Sequence, residues 1–249
     1  AAEQLPYSTQ IPFALAALYE AHRDIAEAKL VYEKLATDYD KKPAGLDAQV
    51  KIAQLDFNAG RQAEAERRLS EVLRQNPRTA QGLILQGKIA LVGRNGKDAV
   101  QAFRTVLRDQ PELAHVQYLL GQAYLMTGDS PLARESFERA VALQPGLVEA
   151  GLALAMMENR GGQPQRARAR LTAILKSHPD HRQAMELLFG LDLAAGDWNH
   201  AASILNRLRQ LDGDSAAILM AEGRLHESRK DFTGAITAYE RAATMASEA

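Results

Sequence analysis

The chain contains no cysteine, which excludes disulfides, thiolate metal sites and a cysteine nucleophile. Aromatic residues make up only 6% of it, with a single tryptophan, and few segments have the β-branched density that strands prefer. An excess of charge of either sign is missing too. The 30 basic and 31 acidic residues leave a net charge of −1, so nucleic acid is not an expected partner, because phosphate binding needs a concentrated positive field. No apolar run approaches the roughly 18 residues that span a bilayer, so direct membrane insertion of this segment is not expected. The first residues also lack the basic and apolar regions of a signal peptide.

What is present is alanine, in an otherwise ordinary balance of 46% hydrophobic and 24% charged residues, and a strict period. Pro77, Pro111, Pro145 and Pro179 succeed one another at intervals of 34 residues, as do Ala99, Ala133 and Ala167; Gly87 and Gly121, and Phe103 and Phe137, are separated by the same interval. Several residue types in one phase mark an internal repeat. Between Ala114 and Leu147, Gln117, Leu120, Gly121 and Tyr124 follow helical spacing. Gly128-Asp129 then breaks the chain, and Ala133, Phe137 and Ala140 resume at i, i+4 and i+7. The unit is two amphipathic helices and a short turn. Small residues at Gly121 and Ala133 let the helix axes approach, with Tyr124 and Phe137 filling the space beside them. Gly60, Gly128, Gly162 and Gly196 recur where a left-handed C-cap is needed. Asp24, Asp129, Asp197 and Asp231 stand where they can cap the second helix.

These residues resemble the tetratricopeptide repeat family. Its W-x2-L-G-x2-Y…A-x3-F…P pattern is met by Leu120, Gly121, Tyr124, Ala133, Phe137 and Pro145, with Gln117 in place of tryptophan. The resemblance implies an all-α fold, a right-handed α-α superhelix of about seven helix-turn-helix repeats in a single array. The frames are 9–42, 46–79, 80–113, 114–147, 148–181, 182–215 and 216–249, with Pro43-Ala44-Gly45 inserted after the first. In the last two, Gly213 and Ser247 replace the usual proline, which weakens the turn and not the helices. Residues 1–8 are expected to be the tail of a preceding repeat, since Ala1 to Pro6 runs in register with Ala140 to Pro145. The chain is then expected to be an excised piece of a longer array, the alternative being a mature N-terminus that begins Ala1-Ala2. One hairpin cannot bury enough apolar surface alone, so stability comes from stacking neighbours.

In such an array the first helices line the concave face. Unit positions 2, 5, 9 and 12 share one helical stripe, which gives a candidate partner-binding groove of Gln54, Phe57, Gln81, Ile84, Lys88, Leu91, His115, Tyr118, Gln122, Leu125, Leu152 and Met156. Alternating apolar and polar groups suit an amphipathic helix or an extended peptide; the bland reading buries several of them between neighbouring first helices. Some relatives clamp the acidic tails of heat-shock chaperones with lysine, asparagine and arginine. The matching positions here, Val50, Lys51, Gln54, Ile84, Leu85, Lys88, His115, Tyr118 and Leu119, do not rebuild that clamp.

Chemistry is not expected. His178 and His181 flank a turn without the further ligands a metal needs, and Arg160-Gly161-Gly162 lacks the rest of a phosphate loop. Arg166, Arg168 and Arg170 alternate around a helix and read as a solvated convex face. Trp198 opens a second helix and reads as packing or an isolated exposed aromatic. The chain is therefore expected to be a non-enzymatic scaffold that needs no cofactor and binds a protein or peptide, with end-to-end self-association through uncapped repeat ends as a further expectation. The alternative is a non-catalytic arm of a larger enzyme or of an export or exopolysaccharide secretion machine. In style the units resemble bacterial repeat proteins, some of them envelope lipoproteins, which favours the periplasmic side of the cell envelope over the cytoplasm.

Overall fold

The computed structural model describes residues 7–247. Among them are fourteen α-helices and no strand, grouped into two compact units that part after Gln144. The first unit holds α1 (Tyr7–Ala21), α2 (Ile25–Asp38), α3 (Pro43–Asn58), α4 (Gln62–Gln75), α5 (Ala80–Val92), α6 (Gly96–Asp109), α7 (Ala114–Thr127) and α8 (Ser130–Leu143). The second holds α9 (Val148–Arg160), α10 (Pro164–Ser177), α11 (Arg182–Ala195), α12 (Trp198–Asp212), α13 (Ala216–Ser228) and α14 (Phe232–Ser247). Helices α5, α7, α9, α11 and α13 open on the first residues of their frames. None of the described helices is long and apolar enough to cross a membrane.

Each hairpin closes on the same few positions. Position 20 is alanine throughout, at Ala28, Ala65, Ala99, Ala133, Ala167, Ala201 and Ala235, and every one is buried. Position 8 faces position 24 across the hairpin. A Cβ on Gly87, Gly121 or Gly223 would lie 2.3 to 2.5 Å from the ring of Phe103, Phe137 or Tyr239, so these glycines are required by close approach. Burying each phenylalanine contributes roughly 2–3 kcal/mol. Tyr32 fills the same place in α2, and its hydroxyl donates to Glu20 at 2.7 Å; burial pushes that hydroxyl's pKa well above its ordinary range.

The turns within hairpins are equally regular. In all seven, the N–H of position 16 donates to the carbonyl of position 11 at 2.8 to 2.9 Å, the long bond of a Schellman cap. Position 15 is left-handed in each case. Gly60, Gly128, Gly162 and Gly196 take it freely, while Arg23, Arg94 and Lys230 take it against their side chains. Asp129, Asp197 and Asp231 cap the following helix, accepting from Leu132, His200 and Gly234 N–H groups. Asp24 does not cap with its side chain, and Asn95 supplies an additional cap for α6.

Two expectations concern the beginning of the chain. The Pro43-Ala44-Gly45 insertion, the likeliest local irregularity of the array by sequence, forms the first turn of α3, with Pro43 at the position where its missing N–H costs nothing. Gly45 permits this, since a Cβ there would sit 2.1 Å from the Tyr39 carbonyl oxygen. Tyr7 and Ser8 belong to α1 rather than to a preceding tail, and the remainder of that expectation, residues 1–6, lies outside the described residues.

Between hairpins, positions 3, 7 and 10 of a first helix pack on the second helix before it. Ala48, Ile52 and Leu55 join Ala28, Tyr32 and Leu35 in one core cluster, and Val116, Leu120 and Ala123 join Phe103 and Val106 in another. Ala184, Leu188 and Leu191 do the same with Ala167 and Leu171 in the second unit. At α13 position 7 is Glu222, which accepts from Arg209 at 2.9 Å.

Candidate functional site

In the first unit α3 packs beside α5 and α5 beside α7, so the expected stripe is assembled from three neighbouring helices. Gln54 and Phe57 come from α3, Gln81, Ile84, Lys88 and Leu91 from α5, and His115, Tyr118, Gln122 and Leu125 from α7. Gln81, His115 and Leu125 are exposed, and the other seven are half-buried. Their inner edges rest on the core: Ile84, Leu91 and Tyr118 on the cluster around Phe103 and Val116, and Phe57 on the cluster around Leu69 and Ile89. The apolar rows are therefore held in place from beneath while their outer edges meet solvent.

Tyr118 is fixed on three sides. Its ring centroid lies 5.8 Å from that of buried Phe137 and 6.1 Å from that of His115, and its hydroxyl accepts from Gln122 Nε2 at 2.8 Å. Gln54 donates to Asn58 at 2.8 Å. At the α3 end of the same stripe, burial pushes the Asp47 carboxyl above the usual carboxylate range, against the opposing pull of Lys51.

The two remaining stripe residues lie on α9 in the second unit and behave differently. Leu152 is a core residue, packed with Ala167, Leu171 and Met185, so its assignment to a binding surface is corrected: at the register position where Ile84 and Tyr118 are half-buried, Leu152 is covered by these neighbours. Met156 is half-buried and lines a cavity of about 170 Å³ with Asn159, Arg160, Leu171, Leu187 and Leu191.

A recurrent set of buried charges at position 11 was missed in the sequence. Where Tyr19 and Tyr124 stand in two hairpins, three others carry the carboxylates Asp56, Glu158 and Asp192, all buried. Asp56 accepts from Arg61 at 2.8 Å and from Lys29 at 3.2 Å. Burial alone would raise its pKa, but those hydrogen bonds and charges prevail and hold it below the usual range. Glu158 receives Arg170 in a two-pronged contact at 2.7 and 3.1 Å. Asp192 receives Arg168 and lies 2.6 Å from His200 Nδ1. Arg168 and Arg170 are thus structural cations rather than a solvated face. Arg166, more exposed, lies 3.8 Å from Glu158.

Asp192, Asp197 and His200 bring ligand atoms within 4.8 Å of one another, and the Arg168 guanidinium donates to both carboxylates. The Asp197 carboxyl is held below its ordinary pKa by the His200 backbone N–H and by Arg168. His181, one of the two turn histidines, caps α11 by accepting from the Ala184 N–H at 3.3 Å. Trp198 opens α12, and its carbonyl accepts from Arg229 at 3.1 Å.

Two family models match the chain, both described as tetratricopeptide repeat, one over residues 50–99 and 84–148 and the other over 160–225. Among curated proteins the chain is similar to cellulose synthase operon protein C of Xanthomonas axonopodis pv. citri, with 26% identity over 237 residues. That alignment covers 84% of this chain but only 15% of the relative. Among solved structures, a tetratricopeptide repeat protein from Parabacteroides merdae superposes with a TM-score of 0.66 at 14% identity, covering 96% of this chain and 94% of its own. YrrB, a tetratricopeptide repeat protein with an unusual peptide-binding site, gives a TM-score of 0.59 at 19% identity, covering 76% of this chain and 96% of its own. Register, hairpin geometry and family models agree, and the chain belongs to the tetratricopeptide repeat family.

Proposed function

We propose that this chain is a non-catalytic protein-interaction scaffold, and that the stripe across α3, α5 and α7 receives a short peptide or an amphipathic helix of a partner. The observation that carries this reading is the row of Phe57, Ile84, Leu91 and Tyr118, part-exposed yet anchored in the core, with exposed Leu125 on the same stripe and Gln54, Gln81, Lys88, His115 and Gln122 interleaved. A pre-organised apolar row loses little side-chain entropy on binding. The interleaved amides, lysine and imidazole supply hydrogen bonds to the polar groups of a docked segment.

The test is a photo-crosslinking amino acid placed singly at Gln81 or Leu125 in the full-length protein within cells that express it. A control probe is placed at Gln101 on α6, exposed and off the stripe. Crosslinks to one common protein from Gln81 and Leu125, and not from Gln101, support the reading. Crosslinks from Gln101 alone would move the binding surface elsewhere.

A second reading is favoured by the cellulose synthase operon protein C similarity. The chain would then be one segment of a repeat arm in an exopolysaccharide export assembly at the bacterial envelope, and the stripe would hold a component of that assembly. The identity of the crosslinked protein separates this from an unrelated scaffold.

A further inference from the structure

Positions 8 and 24 face each other across each hairpin, and in five of the seven one of the two is an aromatic ring: Tyr32, Phe103, Phe137, Phe189 or Tyr239. The other two hairpins pair alanine with leucine, as Ala53 with Leu69 and Ala155 with Leu171. Both lack the volume of a ring, and each leucine lines a cavity. The one at Leu69 is wide, about 350 Å³, with a polar rim that includes the carboxylates of Glu66 and Asp98. The one at Leu171 is smaller, about 170 Å³, and lies wholly within the second unit. Buried Ala155, Leu171 and Leu191 form its floor and half-buried Met156 and Leu187 its walls. Exposed Asn159 and Arg160 stand at its mouth. An aliphatic cavity of about 150 Å³ is large enough to take a benzene ring, and a thioether such as that of Met156 is favourable beside a ring edge.

Charge narrows which ring-bearing group would enter. On α10, Arg166, Arg168 and Arg170 each meet a carboxylate of the chain itself. Arg160, the last residue of α9, meets none among the described residues and makes no side-chain hydrogen bond to them. We infer that the cavity takes the aromatic side chain of a partner polypeptide, and that Arg160 pairs with a carboxylate next to that ring in the partner's sequence. The partner supplies from outside the ring that Phe137 supplies from within its own hairpin. Apolar area buried by the ring contributes the affinity. The planar guanidinium fork at the mouth matches a carboxylate in geometry as well as charge, which contributes the selectivity. Asn159 offers both a donor and an acceptor to the peptide groups flanking the ring, and this assigns the site to a polypeptide rather than to a free aromatic acid. The α3–α5–α7 stripe belongs to the first unit, and the inference does not depend on that stripe's role.

The test is a titration of the full chain with a capped phenylalanyl-aspartate dipeptide, read by isotope-labelled methionine methyl resonances. Met156 lines the cavity and its neighbour Met157 does not, so the pair reports where the ring goes. Capped phenylalanyl-asparagine, capped leucyl-aspartate and phenylacetate are compared, each up to about 10 mM, since ligands of this size bind at about millimolar concentration. The aspartate dipeptide should shift the Met156 methyl and bind at least about 3-fold more tightly than its asparagine counterpart, the effect of one partly exposed ion pair. Arg160→Gln should abolish that preference while leaving the Met156 shift, and because Arg160 is exposed the substitution leaves the fold intact. Ala155→Gly combined with Leu171→Phe copies Gly121 and Phe137, fills the cavity from within and should abolish binding of both phenylalanyl dipeptides. If that double variant loses its dispersed spectrum, Arg160→Gln alone decides. A Met156 methyl that no dipeptide moves overturns the inference, as does equal binding of the aspartate and asparagine dipeptides by wild type. Leucyl-aspartate binding as tightly would mean an aliphatic occupant, and phenylacetate binding more tightly would mean a free acid; either result also overturns it.

Discussion

The hairpin α7–α8 in the first unit and the hairpin α11–α12 in the second occupy the same register and solve it in opposite ways. In α7–α8 position 8 is Gly121 and position 24 is Phe137, so the ring of the second helix lies directly on the backbone of the first. In α11–α12 the bulk has changed sides: Phe189 stands at position 8 and Leu205 at position 24, both buried. Position 11 changes with it, from half-buried Tyr124 to buried Asp192, which is paired with Arg168 and lies 2.6 Å from His200 Nδ1. The comparison separates what the repeat requires from what it merely uses. The buried alanine at position 20 and the left-handed turn are common to both. The large side chain and the occupant of position 11 are exchangeable, provided that volume and charge are balanced locally.

The sharpest way to break this comparison is to transplant one solution into the other hairpin. Gly121→Phe alone should be the most damaging, costing about 3 kcal/mol or more, because a second ring is forced onto Phe137. Combining it with Phe137→Leu should recover at least about 1 kcal/mol of that loss, since the pair then reproduces Phe189 and Leu205 and contacting sites are not additive. Thermal or denaturant unfolding of the three variants measures the coupling. A double variant as unstable as the sum of its parts would show the two packing schemes are not interchangeable.

A smaller effect tests the charged alternative at position 11. Asp56→Asn removes a buried charge that Lys29 and Arg61 hold, and should cost about 1–3 kcal/mol near neutral pH. Because the folded-state pKa of Asp56 is lowered, its contribution is fully present above the unfolded value of about 4 and is lost as pH falls through the lower folded value. The stability difference between wild type and variant should therefore narrow on acidification below about pH 4. A difference that widened on acidification would contradict the assigned direction.

Most of the fold was legible because the repeat writes its requirements in residues with few substitutes. Ala133 and Gly121 admit no larger side chain at close approach, and Gly128 and Gly196 answer a backbone conformation that other residues adopt at a cost. Where substitutes exist, the signal faded. Arg94 takes the same left-handed position as Gly128 without announcing it. Asp56, Glu158 and Asp192 were passed over because each is an ordinary surface residue until its cation is placed beside it, and those cations come from a different helix. Arg168 and Arg170 were misread for the same reason: helical spacing says where they point and not what comes to meet them. On α5 and α7, helical offsets alone were enough to say which residues share one part-exposed side, whatever that side binds. The coverage of Leu152 was not legible in this way, since offset 5 is half-covered in one hairpin and fully covered in another, depending on the size of its neighbours.

The central claim is that the core-anchored row on α3, α5 and α7 is the working surface. Its most direct measurement is the dissociation constant of the protein captured there, compared between the wild-type chain and Leu125→Glu. Leu125 is exposed, so the substitution leaves the hairpin intact while putting a charge in the row. The account predicts binding weakened by about 10-fold or more, the effect of losing a central contact, with an unchanged melting temperature. Unchanged affinity in a folded Leu125→Glu chain would contradict it.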